Sequence, residues 1–186
     1  MRRMFLILAP LVGFILLAIA LFIGLFKDGQ TLPSPLVGKT APEIILPIFS
    51  SASGAVPVLA TAKKGNNRAT IVLNYFASWC VPCRAEAAAL LELKRKRESA
   101  GNADIRIIGI AYKDAPDKTA RFLKEYGNPY DQVFVDSDGR AGIAYGVYGI
   151  PESFLIEANG IIYRRYVGAL RVDPDIAYIL THFGQN

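Results

Sequence analysis

The chain has 186 residues, two cysteines, one histidine and a formal net charge of +5. That length suits one globular domain with an appendage. With both cysteines in one C-x-x-C, the fold must stand on its hydrophobic core, and no stripe of Arg and Lys with interleaved aromatics points to nucleic acid.

Metals and cofactors find little support. A structural zinc site wants four ligands, and His182 stands far along the chain from Cys80 and Cys83. Covalent haem attachment wants a histidine where Arg84 follows the second cysteine. Copper would want nearby His or Met, and the only methionines are Met1 and Met4. The basic run Lys94-Arg95-Lys96-Arg97 falls at the end of an expected helix, where cations suit the helix dipole.

Met4 to Phe26 carries no charge and is long enough to cross ~30 Å of hydrocarbon as a helix. Arg2 and Arg3 precede it, so the positive-inside rule puts residues 1–3 in the cytoplasm and the rest of the chain on the far side. Ala18-Ile19-Ala20 resembles a signal-peptidase site, but the apolar run continues past it to Phe26, which favours an uncleaved anchor over residues 4–26. Residues 27–40, with Gly29, Pro33, Pro35 and Gly38, have linker composition. Residues 41–186 form the expected domain.

Within it, the β-branched and aromatic run Ala69–Phe76 predicts a buried strand. Arg84–Arg97 is rich in helix formers. Ile105–Tyr112 predicts a second strand, Ala115–Tyr126 a helix, Gln132–Val135 a short strand and Gly139–Tyr145 a short helix. Ser153–Ile156 and Ile161–Val167 flank Asn159-Gly160, a hairpin signal. Asp173–His182 closes the chain as a helix. Strands alternating with helices imply an α/β sheet covered on both faces, with the hairpin as an antiparallel edge.

The C-x-x-C falls between the first strand and the helix after it. A thiolate, not a thiol, attacks a disulfide, and a helix N-terminus favours the anion. Cys80 is therefore the expected exposed nucleophile, and Cys83, one turn on, the resolving thiol. Val81-Pro82 tunes the pair. Trp79 is expected to flank Cys80 and exclude water, unless it is a plain structural tryptophan. A C-x-x-C in this strand–helix setting, followed by a proline leading into a hairpin, reads as a thioredoxin-like redox motif.

The segment Val72-Leu73-Asn74-Tyr75-Phe76-Ala77-Ser78-Trp79-Cys80 resembles the active-site strand of thioredoxin-like proteins. Gly146-Val147-Tyr148-Gly149-Ile150-Pro151-Glu152-Ser153-Phe154 resembles the G-V-x-G-x-P-E-[TS]-F signature of the CcmG/DsbE family, membrane-anchored reductases of cytochrome c maturation. Leu32-Pro33-Ser34-Pro35-Leu36-Val37-Gly38-Lys39 with Pro42 is also similar to that family. The resemblance implies a cis peptide bond before Pro151, which would set the Ile150 backbone beside Cys80 to meet a substrate strand.

It also implies a periplasmic domain tethered to the inner membrane that reduces apocytochrome c or a maturation partner. A DsbD/CcdA-type membrane reductant would restore its dithiol. Thioredoxins carry a buried Asp six residues before the nucleophile, where this chain has Asn74, an amide that does not titrate. Proton handling then falls to water or to another carboxylate. Glu86, one turn beyond Cys83, and Glu152, after Pro151, are the candidates. Each also has a plain structural reading, a solvated helix position in the case of Glu86. Two rivals remain at this point: a broader TlpA/ResA-like reductase with another client, such as copper-site assembly, and a module that docks apocytochrome without redox chemistry.

Overall fold

The computed structural model describes residues 2–25, 34–49, 55–64, 67–101 and 104–183. The chain divides into two units at Leu32/Pro33. The first holds α1, Arg2–Leu25. The side chains of α1 are described from Pro10 to Phe22, and among the described residues no helix is long and apolar enough to cross a membrane. Phe26, the expected end of the anchor, and residues 27–33 of the expected linker lie outside the described residues.

The second unit opens with two short hairpins, β1 (Ile45–Pro47) with β2 (Ala55–Pro57) and β3 (Lys63–Lys64) with β4 (Asn67–Arg68). There follow β5 (Thr70–Phe76), α2 (Val81–Ser99), β6 (Ile105–Tyr112), α3 (Pro116–Tyr126), β7 (Gln132–Asp136), α4 (Arg140–Ala144), β8 (Glu152–Ile156) and β9 (Ile162–Val167). A kinked turn over Val172–Ile176 leads into α5 (Ala177–Phe183). The five-stranded sheet has the order β7-β6-β5-β8-β9. β5, β6 and β7 run parallel, and β8 and β9 run antiparallel to their neighbours. This is the thioredoxin-like α/β arrangement expected from the element order.

β5 is buried along its whole length, as a central strand covered on both faces must be. Its side chains alternate between two cores. Val72 and Phe76 join Leu90 and Leu93 of α2, Phe122 of α3 and Ile179 of α5, in the cluster that also holds Cys80 and Cys83. Ile71, Leu73 and Tyr75 face Ala141 and Tyr145 around α4 and the N-terminal residues Ile44, Leu46 and Val58. One glycine decides a contact that matters at the site. A Cβ on Gly109 of β6 would lie 2.9 Å from the rings of Phe76 and Tyr130, which stack there at 4.8 Å between centroids.

Several boundaries differ from the sequence reading, each for a physical reason. α2 starts at Val81 rather than Arg84, because Cys80 caps it and Pro82 occupies its first turn, where a missing N–H costs nothing. The expected helix Asp173–His182 is regular only from Ala177; Asp173 is extended (φ −120°, ψ 131°), as a residue before proline tends to be. The strands β1 and β2 each end in proline and span three residues, too short for a periodicity. Ser34–Thr40, given linker composition, is tied to the β8–β9 hairpin. The Gly38 N–H donates to Ile162 O at 2.8 Å, and the Ile162 N–H donates to Lys39 O at 2.9 Å.

Candidate active site

The segment after β5 is fixed before it reaches the cysteines. The Ser78 N–H and hydroxyl both donate to the Asp114 carboxylate, at 2.8 and 2.7 Å. Asp114 also accepts from the Thr119 hydroxyl at 2.9 Å and the Ala115 N–H at 3.0 Å, which ties the loop to the start of α3. Cys80 then takes the N-cap position of α2 with extended dihedrals (φ −85°, ψ 109°). Its Sγ accepts the backbone N–H of Cys83 at 3.2 Å. Oxygen acceptors are the usual caps at this position; here sulfur does the work, among the unpaired N–H groups that favour a thiolate.

Cys80 and Cys83 form a disulfide with their Cα atoms 5.3 Å apart. The expected contrast in exposure is absent: Cys80 is 3% and Cys83 2% accessible. Both belong to the core cluster between β5 and α2. What separates the two is position on the helix, since only Cys80 is the cap. Trp79 does not seal the site. It is 55% exposed, and its indole N–H donates to Lys113 O at 3.3 Å. With the exposed Val81 and Pro82, which lie between the cysteines in sequence, it leaves an apolar surface at the C-x-x-C.

Beneath the bridge lies a closed polar network. Asn74 on β5 is fully buried. Its Nδ2 donates to Glu86 Oε2 and to Ser153 Oγ, each at 2.9 Å. Its Oδ1 accepts from the Tyr130 hydroxyl at 2.8 Å. The other carboxylate oxygen of Glu86 accepts the Leu170 N–H at 2.9 Å. Glu86 is 1% exposed, which overturns a solvated helix position. Burial pushes its pKa from 4.5 up to about 7, against the lowering effect of the Leu170 and Asn74 hydrogen bonds. Burial, and then the charge of Glu86, pushes the Tyr130 hydroxyl well above its ordinary value.

Glu152 is not part of this network. In the β5–β8 register Asn74 pairs with Ser153 and Tyr75 with Glu152, so alternation places Glu152 on the Tyr75 face, opposite Asn74. There it pairs with Arg165. Burial raises its pKa, with Arg165 opposing. Arg165 also donates to Gly146 O at 3.0 Å and lies 4.8 Å from the Tyr148 ring centroid, so it spans the segment that leads to Pro151. The Ile150–Pro151 bond is cis, and Ile150 packs against the cluster that contains both cysteines.

Sequence reasoning missed Tyr130, Ser153, Asp114 and Arg165. Asp114-Ala115-Pro116 carries a helix-start signal that would have marked Asp114. Tyr130 has no local signal, because it reaches Asn74 across 56 positions of sequence.

A thioredoxin fold with a bridged C-x-x-C capping α2 defines a thiol–disulfide oxidoreductase. The Redoxin family model matches residues 36–180. The thiol:disulfide interchange protein DsbE of Allochromatium vinosum is 39% identical, over 88% of this chain and 84% of that one. DsbE of Escherichia coli strain K12 is 37% identical, over 88% and 85%. Among solved structures, a Chlorobium tepidum chain described as a DsbE thiol:disulfide interchange protein superposes with a TM-score of 0.60. It is 25% identical, over 76% of this chain and 92% of that one. The chain belongs to the CcmG/DsbE family of thiol:disulfide interchange proteins.

Proposed function

We propose that this oxidoreductase is a dedicated reductant of apocytochrome c, or of a maturation partner carrying its disulfide, before haem is attached. The observation that carries the reading is the placing of the Cys80–Cys83 pair, with Cys80 as helix cap and Cys83 one turn before the buried Glu86. The Gly146–Phe154 segment, with its resemblance to the family signature, supplies the choice of client.

In the reductive direction the Cys80 thiolate attacks one sulfur of the client disulfide. A Cys80–client mixed disulfide forms and one client thiolate leaves. Cys83 then loses its proton, attacks Cys80 Sγ and expels the second client thiolate. Two electrons have passed to the client, and the protein is left with the Cys80–Cys83 bridge. Glu86, poised near neutrality, is the group we assign to take the Cys83 proton. A membrane reductant of the DsbD/CcdA type returns two electrons by the reverse exchange.

We also propose that α1 is a membrane anchor with Arg2 and Arg3 on the cytoplasmic side and the domain in the periplasm. Its Leu11, Phe14, Leu16, Leu17 and Leu21 are all exposed, and a helix apolar on every side wants lipid or protein around it. Protease added to spheroplasts should degrade the domain and leave α1 in the membrane fraction; a domain protected until lysis would reject this orientation.

Trapping tests the client. Cys83→Ser stops the exchange at the mixed disulfide, so mass spectrometry of the complex on Cys80 should find a C-x-x-C-H peptide of a c-type cytochrome or a maturation partner. Copper-site proteins on Cys80 would assign a broader reductase instead. Full cytochrome maturation by the Cys80→Ala, Cys83→Ala double variant would assign a docking module.

A further inference from the structure

Beside the disulfide, between α2 and α3, lies a cleft of about 330 Å³ lined by Ser78, Arg84, Lys118, Arg121, Phe122 and Tyr126. Its position is fixed by the chemistry next to it. Ser78 stands two residues before Cys80, and Arg84 immediately follows Cys83. Phe122 and Tyr126, with ring centroids 5.1 Å apart and planes tilted by 42°, give the cleft an aromatic wall. The Arg84 guanidinium lies 5.9 Å from the Tyr126 ring centroid, within cation–π range.

The charge of the lining is unbalanced. Three cations, Arg84, Lys118 and Arg121, face one carboxylate, Glu125. Arg121 also pairs with Asp117 at 2.7 Å, but both side chains are about 70% exposed, and such a pair is readily exchanged for another anion in water. The buried carboxylate of Asp114, bonded to the lining residue Ser78, is consumed by Ser78, Thr119 and Ala115. The volume is at the small end for a ligand site, suited to one or two amino-acid side chains.

We propose that this cleft is an anion subsite that takes an Asp or Glu side chain of the client polypeptide, a few residues from the cysteine attacked by Cys80. The proposal rests on the reductase reading and deepens it. A client held near Cys80 presents its neighbouring residues to the cleft at high effective concentration. The cations draw a carboxylate in, and the aromatic wall receives the apolar part of the same segment. Selectivity among C-x-x-C clients then depends on acidic residues beside the motif as well as on the motif itself.

The test uses the reduced full-length protein and three synthetic peptides. Each carries one intramolecular C-x-x-C disulfide, flanked on both sides by Glu, by Gln or by Lys, and reduction is followed by stopped flow. The Glu peptide should be reduced roughly threefold to fivefold faster than the Gln peptide at low salt, the scale of one or two exposed charge pairs. The gap should close as ionic strength rises. In Lys118→Glu, Arg121→Glu the preference should invert toward the Lys peptide, a gain that misfolding does not produce. Equal rates for Glu and Gln peptides in the wild type would overturn the subsite and leave the reductase reading standing. A Glu preference that survives the double charge reversal would overturn it too. Equal peptide rates, with phosphatidylglycerol vesicles but not phosphatidylcholine vesicles slowing the reaction, would assign the cleft to lipid headgroups and overturn the proposal. Reduction of none of the peptides would reject the reductase reading itself, and the subsite with it.

Discussion

Asn74 Nδ2 lies 2.9 Å from Glu86 Oε2, so a buried amide on the central strand holds a buried carboxyl on the helix that carries Cys83. Among the described residues no cation pairs with Glu86. Its charge is met only by the Asn74 amide and the Leu170 N–H, which hold but do not neutralise it. A fixed carboxyl near neutrality, in the core below the cysteines, is suited to proton exchange with a thiol in a way that an exposed carboxylate is not.

The elevated pKa of Glu86 sets a stability change with a definite sign. The folded chain holds this proton up to about pH 7, whereas an ordinary glutamate loses it near 4.5. Between those values the folded state binds more protons than the unfolded chain, so stability falls as pH rises through the window. The total is about 3 kcal/mol. Urea unfolding of the oxidised protein at pH 5, 6, 7 and 8 should show this decline, and Glu86→Gln should remove it. Parallel declines in both proteins would reject the assignment.

Asn74→Asp tests the amide from the other side. Below pH 6 the protonated Glu86 donates to the new carboxylate, and the Ser153 and Tyr130 hydroxyls can donate as well, so the site stays satisfied. Above pH 7 two carboxylates would face each other where one donor–acceptor pair stood, and like charges at that spacing resist joint ionisation. The variant should unfold near the wild-type temperature at pH 5. At pH 8 it should lose roughly 1–3 kcal/mol more than at pH 5. Circular dichroism melts at the two pH values decide the matter; the same loss at both would show that packing, not charge, governs the site.

Much of this was legible in the sequence, and the division follows interaction range. β6 is read without error as Ile105–Tyr112, because a β-branched run between polar flanks has one local explanation. The C-x-x-C between strand and helix likewise announces its chemistry from local order. The Asn74–Tyr130 bond does not, since it needs the β5–β6 register that pairs Asn74 with Gly109 and the missing side chain of Gly109 that admits the Tyr130 ring. By sequence, Glu86, one turn after Cys83, and Glu152, next to Pro151, are both open as the proton-handling carboxylate. Only the pairing of β5 with β8 puts Glu152 on the far face.

Arg165 is the cation that makes a buried Glu152 tolerable. Glu152 is fully buried, and its Oε2 has no hydrogen-bond partner among the described residues. The other oxygen accepts from Arg165. Arg165→Met removes the cation, the bond to Gly146 O and the stacking over Tyr148 together. Breaking such a pair from one side costs about 3–5 kcal/mol. A second change, Glu152→Met, should restore a large part of the loss. The double-mutant cycle by urea unfolding should give strong coupling between the two sites; additive losses would show that Arg165 acts through the Gly146–Tyr148 segment alone.

The basic run at the end of α2 gives the last prediction, in the acid range. Arg97 is buried and grips Asp131 with two bonds, at 2.6 and 3.0 Å, while donating to Ile105 O at 2.9 Å. Asp131 also accepts the Ile107 N–H at 2.7 Å, so this carboxylate joins α2 to the start of β6. Burial raises its pKa, but the Arg97 guanidinium and the Ile107 N–H outweigh that and hold it below 3.8. A depressed carboxylate contributes stability above its unfolded pKa and loses it as pH falls through the folded one. Asp131→Asn should therefore lower stability at pH 7, where Arg97 is left buried with a weaker partner, and flatten the decline below about pH 4. Glu86 destabilises as pH rises and Asp131 as it falls, so the wild type should be most stable between roughly pH 4 and 5 as far as these two groups decide it. Unfolding curves of the single variants and of Glu86→Gln, Asp131→Asn together should show each limb removed separately. An acid limb unchanged in Asp131→Asn would move its origin to other carboxylates.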